Sequence, residues 1–376
     1  MKLRLVAAAA LAVMATGAHA QSSVTLFGAL DAGLLYQNTS AATLAPRAAN
    51  TGSVFRYKDG GIYSSFWGLL GTEDLGGGYR LNFKLQSAFN TGTGAMGLPD
   101  TAGTVALFNQ IARVGVSGPF GSFDVGRQIA PIAIAMVDTD VRHAQYFGSV
   151  LTAWAGMNFQ AGWSGASTNV PIGALFDSNA LIYRTPRIAG AQLALEYAPG
   201  GVAGSFPANQ RESAVLTYQN YGLDLAAAFY DAHDTNPSPV APAAPTGVDN
   251  NRQLYFGAKY TFSGFSVSGS YSNGRSPAHS NLVNYDLWSL GAGYRFTPAF
   301  DVTSGVYYLR DKNNSANKSI TWVVAADYSV SKRTVFYADL GGVNNMGTMR
   351  VPVTYGQLVA PDKATIAVLL GVRHSF

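Results

Sequence analysis

The chain of 376 residues has no cysteine, few charges, and no long apolar run beyond its first twenty positions. Each absence removes a class of protein. Without cysteine there is no disulfide framework and no thiolate to bind metal or attack a substrate. The charged fraction of 12% is about half that of an ordinary globular domain. The longest later apolar stretch, 129–137, spans nine residues with Pro131 inside it, whereas a membrane-spanning helix needs about 20. A helical membrane protein is excluded. The five histidines fall at no metal-ligand spacing and no Gly-x-Ser-x-Gly elbow precedes a helix, so no catalytic residue, metal or cofactor is expected.

What is present in quantity is glycine, 42 residues, with 20 tyrosines and 20 phenylalanines, the material of tight turns and strands. The chain end is the clearest strand: Ile366, Val368, Leu370, Val372, His374 and the terminal Phe376 share one parity, with Arg373 on the other. Successive strand side chains point to opposite faces. An apolar face that runs to the free carboxylate needs a sheet to tie it down. A closed transmembrane barrel supplies one, because its last strand pairs with its first and its outer face meets lipid.

The other end of the chain fits export. Lys2 and Arg4 precede an apolar run over 5–15, and Ala18-His19-Ala20 offers small residues for cleavage. Residues 1–20 read as a secretory signal peptide cut after Ala20, and 21–376 as one barrel domain. Removing Lys2 and Arg4 from 25 basic residues leaves 23 against 21 acidic ones, a balance that argues against nucleic acid as a partner.

Short turns fall at 73–77, 118–121, 186–190, 220–222, 262–264, 297–300 and 329–333. Longer polar or proline-rich stretches fall at 37–51, 90–105, 129–176, 199–210, 233–251, 274–284, 311–318 and 344–362. Seven turns alternating with eight loops give sixteen strands, with both termini at the short-turn end. The fold class expected is all-β: a transmembrane antiparallel β-barrel of 16 strands with short periplasmic turns and long extracellular loops. Parity then sorts the faces. Leu81, Phe83 and Leu85 point outward, while Arg80, Asn82, Lys84 and Gln86 point inward. A soluble β-sandwich also alternates, but Trp288, Leu290, Tyr294 and Phe296 on one strand and Ile320, Trp322, Val324 and Tyr328 on another resemble a lipid band with aromatic girdles.

An ordered series of motifs supports a family. SSVTLFG at 22–28 with Asp31, WGLLGTEDLGGG at 67–78, VGVSG at 114–118, Phe120-Gly121, Gly126-Arg127-Gln128, YSVSKRTVFY at 328–337 and GVRHSF at 371–376 resemble the general porins of Gram-negative outer membranes, β-proteobacterial type. The resemblance implies a homotrimer in the outer membrane of a Gram-negative bacterium, surrounded by outer-membrane lipids. It implies a water-filled channel in each subunit, through which small hydrophilic solutes and ions diffuse passively, and a third long loop folded into the lumen. It also implies the barrel assembly machinery as a partner during biogenesis, with Val372, His374 and Phe376 as the assembly signal.

Candidate sites follow from that frame. In the constriction loop, 129–159, Ile132, Ile134 and Met136 form an apolar stripe to lean on the wall, which makes Asp138, Asp140, Arg142 and His143 candidates for the eyelet. Charge beside a passing ion acts there with little screening. On the lumen wall Arg80, Lys84, Arg184 and Lys259, with Arg295 and Arg373, stand against Asp31, Asp124, Glu196, Asp224 and Asp327. Where the family pattern is basic this chain has Phe66, Leu70, Gln110 and Phe176. Near-balance of charge predicts weak ion selectivity, with an apolar wall near Phe66 and Phe176. Outward Arg127 is assigned a subunit contact with Asp100 of the second loop, and the parity of Arg113 is left open. A substrate-specific channel, or an adhesion and surface-antigen role for the proline-rich stretch 234–250, stays open as an alternative.

Overall fold

The period-two patterning lays the chain into antiparallel segments, seen here in a computed structural model that describes residues 23–97, 106–162, 169–170, 172–234, 247, 250–279 and 281–376. In order they are β1 (Ser23–Gln37), β2 (Val54–Asp59), β3 (Ser65–Gly76), β4 (Tyr79–Phe89), β5 (Ile111–Gly118) and β6 (Gly121–Ile129). Two helices follow, α1 (Pro131–Thr139) and α2 (Val150–Gln160), and then β7 (Phe176–Arg184), β8 (Ala191–Ala198), β9 (Arg211–Asn220) and β10 (Leu223–His233). The remainder is β11 (Asn250–Phe262), β12 (Phe265–Arg275), β13 (Asn284–Thr297), β14 (Phe300–Asp311), β15 (Lys318–Ser329), β16 (Thr334–Met346) and β17 (Ala364–Ser375).

Among the described residues seventeen segments fill sixteen positions in the wall, because β2 and β3 share one. β1 pairs with β3 from Ser23, opposite Thr72, to Ala29, opposite Phe66, and with β2 from Ala32, opposite Asp59, to Gln37, opposite Val54. Between them the chain kinks, with Gly60 at φ +68°. The kink costs ladder partners for Gly61, Ile62 and Tyr63, whose N–H groups donate instead to the Asp31 carboxylate at 2.9, 3.1 and 3.1 Å. A buried backbone donor needs such a partner.

Closure occurs where the terminal alternation requires it. β17 pairs with β1, Ala29 opposite Ser375 and Gln37 opposite Ala367. Gly28 and Phe376 exchange backbone hydrogen bonds of 3.0 and 3.1 Å beyond the last strand pair. The Phe376 ring lies over Gly28 so closely that a methyl group there would sit 2.5 Å from it. No edge is left open along this seam. The outward parity is apolar, with Leu290, Leu370, Trp322 and Phe256 all exposed, a surface that suits lipid and not water. All seven short turns and eight long loops fall between the strands as the punctuation requires, and residues 1–20, expected to be a signal peptide, lie outside the described residues. The second loop runs farther than expected, since β5 begins only at Ile111.

Among its described residues the third loop contains two helices, which period-two alternation does not reveal. Pro131 occupies the first turn of α1, where its missing N–H costs nothing. Ser149 caps α2, with Thr152 completing a capping box. Because α1 is helical, its apolar residues do not form a single stripe. Ile132 and Met136, one turn apart, are packed away, while Ile134 stays partly open.

Candidate functional site: the lumen and the third loop

Long side chains on the inner faces of the far wall hold the tip of the third loop. Thr139 Oγ1 and the Tyr255 hydroxyl share a hydrogen bond of 2.7 Å, Tyr307 donates to Asp140 at 3.2 Å, and the Val141 N–H donates to Ser268 Oγ at 3.1 Å. The loop therefore crosses the interior, from the end of β6 to β11, β12 and β14. Gly257 admits this approach: a methyl group there would lie 2.3 Å from Thr139 Oγ1 and 2.5 Å from the Tyr255 hydroxyl. Behind the tip, α2 lies beneath the last long loop, where Arg350 donates to the Phe159 carbonyl at 2.7 Å and to Gln160 at 2.8 Å.

Burial divides the four eyelet candidates. Asp140 and Arg142 are only 3% and 1% exposed, so neither lines the lumen as expected of them. Arg142 donates to Asp339 at 3.1 Å, to Thr303 at 2.9 Å and to the Phe147 carbonyl at 2.7 Å. Asp140 accepts from the Ala144 N–H at 3.1 Å as well as from Tyr307. Both groups bind the loop to itself and to the wall, because a charge withdrawn from water must be met by partners in place. Asp138 and His143 keep open faces. Burial raises the Asp138 carboxyl above its ordinary value, against the pull of Lys259. Burial, and then the Lys259 charge, push the His143 imidazole below its ordinary value.

Two polar spaces flank the loop. One, of about 530 Å³, lies against the wall from β3 to β7 and carries Lys84, Arg113 and Arg184 with Asp124. Arg113 thus faces the lumen, settling its parity: it stands opposite Lys84 in the β4–β5 register and forms an ion pair with Asp124, which Arg184 also contacts at 2.9 Å. The second space, of about 510 Å³, lies against β10 to β15 and carries Lys259 and Arg295 with Asp224, Asp301 and Asp327. Lys259 meets Asp224 at 3.4 Å. Asp301 escaped the sequence reading, although it stands directly opposite Arg295 in the register. Charges that nearly cancel in a count are therefore separated in space, a basic excess on one side and an acidic excess on the other.

The remaining wall candidates have distinct fates. Arg80 shares the inward parity of Lys84 but is exposed near the short turn. Asp31 is fully buried and answers Arg373 at 3.1 Å and the Tyr337 hydroxyl at 2.8 Å; it serves the kink, not the lumen. Phe66, Gln110 and Phe176 gather with Ile134 around one apolar cavity, while Leu70 lines the basic cleft. Arg127 stands opposite Ala112, on the face away from Arg113, and donates to the Asn109 carbonyl at 2.7 Å and to Ser178 at 2.8 Å. Its expected partner Asp100 lies outside the described residues. Val372, His374 and Phe376 lie on the outer parity of β17, with His374 and Thr334 sharing a 2.9 Å hydrogen bond.

A closed sixteen-position barrel with an apolar exterior and charge-lined interior spaces is thus in place. The family model described as Gram-negative porin matches residues 7–348. The chain belongs to the Gram-negative porin family. This porin is 27% identical to outer membrane porin protein 32 of Delftia acidovorans over the whole of both chains. It is 32% identical to an outer membrane porin protein of Bordetella pertussis over 57% of its own length and 50% of that protein. Among solved structures, an anion-selective porin from Comamonas acidovorans shares the fold with a TM-score of 0.76 at 22% identity, over 95% of this porin and all of that chain. Family and fold point to a channel of the outer membrane and not to an enzyme.

Proposed function

We propose that this porin conducts small hydrophilic solutes and ions by passive diffusion, with weak net ion selectivity. The observation that carries the reading is the pair of polar spaces flanking the third loop inside a closed barrel. An ion between them meets Lys84, Arg113 and Arg184 on one side and Asp224, Asp301 and Asp327 on the other, so neither sign is favoured throughout the passage. The basic cleft alone would favour anions, as the name of the Comamonas acidovorans porin states for that protein; here the opposing carboxylates offset it. Segment 129–159 acts as the constriction, with Asp138 and His143 as its charged groups. Reversal potentials across a salt gradient in planar bilayers test this. A value near zero is expected, and strong preference for either sign overturns it.

The same reading includes export with removal of residues 1–20 after Ala20, assembly as a homotrimer, and recognition of the terminal Phe376 by the barrel assembly machinery. The second loop reaches a neighbouring subunit, where Asp100 meets Arg127. Bilayer insertions that conduct in steps of three support the trimer, and single steps contradict it. If Asp100→Ala leaves the heat resistance of the assembly unchanged, the subunit contact fails.

A further inference from the structure

Farther from the short turns than the basic cleft, β3, the start of β7, β17 and the third loop enclose a third space, of about 330 Å³. Its lining is aromatic and aliphatic: Tyr63, Phe66 and Phe176 from the wall side, Ile134, Met136 and Trp154 from the loop. An apolar cavity of about 150 Å³ holds one benzene ring, so this one has room for two fused rings.

The polar groups at its margin are matched to one another. Gln86 Nε2 donates to Gln110 Oε1 at 2.6 Å, and Gln110 Nε2 donates to Ser64 Oγ at 2.8 Å. Trp154 Nε1 donates to the Ile172 carbonyl at 2.6 Å. Among the described residues of the lining the one cation is Arg373, which lies 3.1 Å from the buried Asp31 carboxylate and over the rings of Tyr63 and Phe66, at 5.5 and 5.9 Å. Its charge is countered within the wall. A charged solute entering here would lose water and gain no opposing charge, whereas an uncharged ring would exchange water for apolar contact. Ile129 and Ile134 line both this cavity and the basic cleft, so the two spaces adjoin at these side chains.

We propose that this cavity is a binding site for uncharged aromatic solutes of one or two rings, occupied in transit through the pore. The proposal rests on the channel reading above and adds a solute class to it. Such a site holds its solute briefly and interrupts ion flow while filled, because it borders the conducting space.

The test is single-channel recording of the full-length mature porin in planar bilayers at neutral pH, with 2-naphthol added as the probe and glucose as the comparison. Resolved current interruptions are expected with 2-naphthol and not with glucose. Phe66→Arg, which places an unpaired charge against the cavity, should shorten their dwell time about tenfold, since losses of affinity appear mainly in the off-rate. Ile134→Ser, on the loop and not on the barrel wall, supplies a second variant should the first fail to insert, and shortens the dwell time in the same direction. Conduction without interruptions by 2-naphthol, or interruptions unaltered in both variants, overturns the site and leaves the channel reading standing. Absence of conduction by the unaltered porin overturns both.

Discussion

Toward β11, β12, β14 and β16 the tip of the third loop is fastened by the Tyr255, Ser268 and Tyr307 hydroxyls and by the buried Arg142–Asp339 pair, 3.1 Å apart, beside the acidic space. Toward the wall from β3 to β7 the same loop leaves open space, a basic cleft and an apolar cavity that meet at Ile129 and Ile134. Asp140 and Arg142 have the chemistry of gate residues and act as anchors, while Asp138, two positions away, stays open. The difference shows that in a lumen the role of a charge follows from what packs against it. Residue type alone assigns neither role.

Breaking the fastened side should have the largest effect. Asp339→Ala leaves Arg142 buried without its carboxylate, a change that costs about 3–5 kcal/mol when one partner of a buried pair is removed. The folded barrel should lose its compact electrophoretic mobility at a distinctly lower temperature, and its conductance should become larger and noisier as the loop comes away. The double change Arg142→Met with Asp339→Leu should recover most of that stability, because the penalty belongs to the unpaired charge. If Asp339→Ala behaves like the unaltered chain, the loop is held by something else.

The open side is sharpened by removing its charge. Lys84→Gln with Arg184→Gln leaves Arg113 against Asp124, and the reversal potential should move toward cation preference. Two unit charges about 8 Å apart interact by ~2 kcal/mol at an effective dielectric of 20, and salt screening reduces this to a change on the order of twofold in permeability ratio. A shift toward anions would contradict the placement of the cleft on the ion path.

Tyr307→Phe tests a single fastener. Loss of its hydroxyl leaves Asp140 short of one donor, which costs about 1 kcal/mol, read as a small drop in the denaturation midpoint of the folded barrel in detergent. The smallest effect is that of pH. As pH falls from neutral, Asp138 takes up its proton earlier than an ordinary aspartate, because burial raises it. His143 becomes charged later than an ordinary histidine, because burial lowers it. Loss of a negative charge and gain of a positive one act in the same direction, so selectivity should drift toward anions on acidification. The pair Asp138→Asn and His143→Gln should flatten that drift in reversal-potential measurements.

Much of the barrel was legible in the sequence. Period-two alternation and turn residues are local signals, and they located seven turns, eight loops and the pairing of the chain end with β1. Arg113 resisted that reading. On β5, the alternation of Ala112, Val114 and Val116 with Gly115 and Ser117 leaves faces of weak contrast, and only the register against Lys84 settles it. The helices of the third loop leave little trace in the sequence: Thr152 stands where the capping-box pattern has Glu or Gln, and Ile132, Ile134 and Met136 alternate as a strand does.

From the sequence alone came the strand count, the inward and outward parities, the seam at Phe376 and the kinship with porins. All of these follow from short-range periodicity or from motifs in chain order. Only the tertiary structure decided that Asp31 braces a kink, that Asp140 and Arg142 are buried, that Arg113 joins Lys84 and Arg184, and that Phe66 and Phe176 border one cavity. Each depends on groups brought together from distant parts of the chain, and burial and charge pairing are properties of that neighbourhood, which no single stretch of sequence contains.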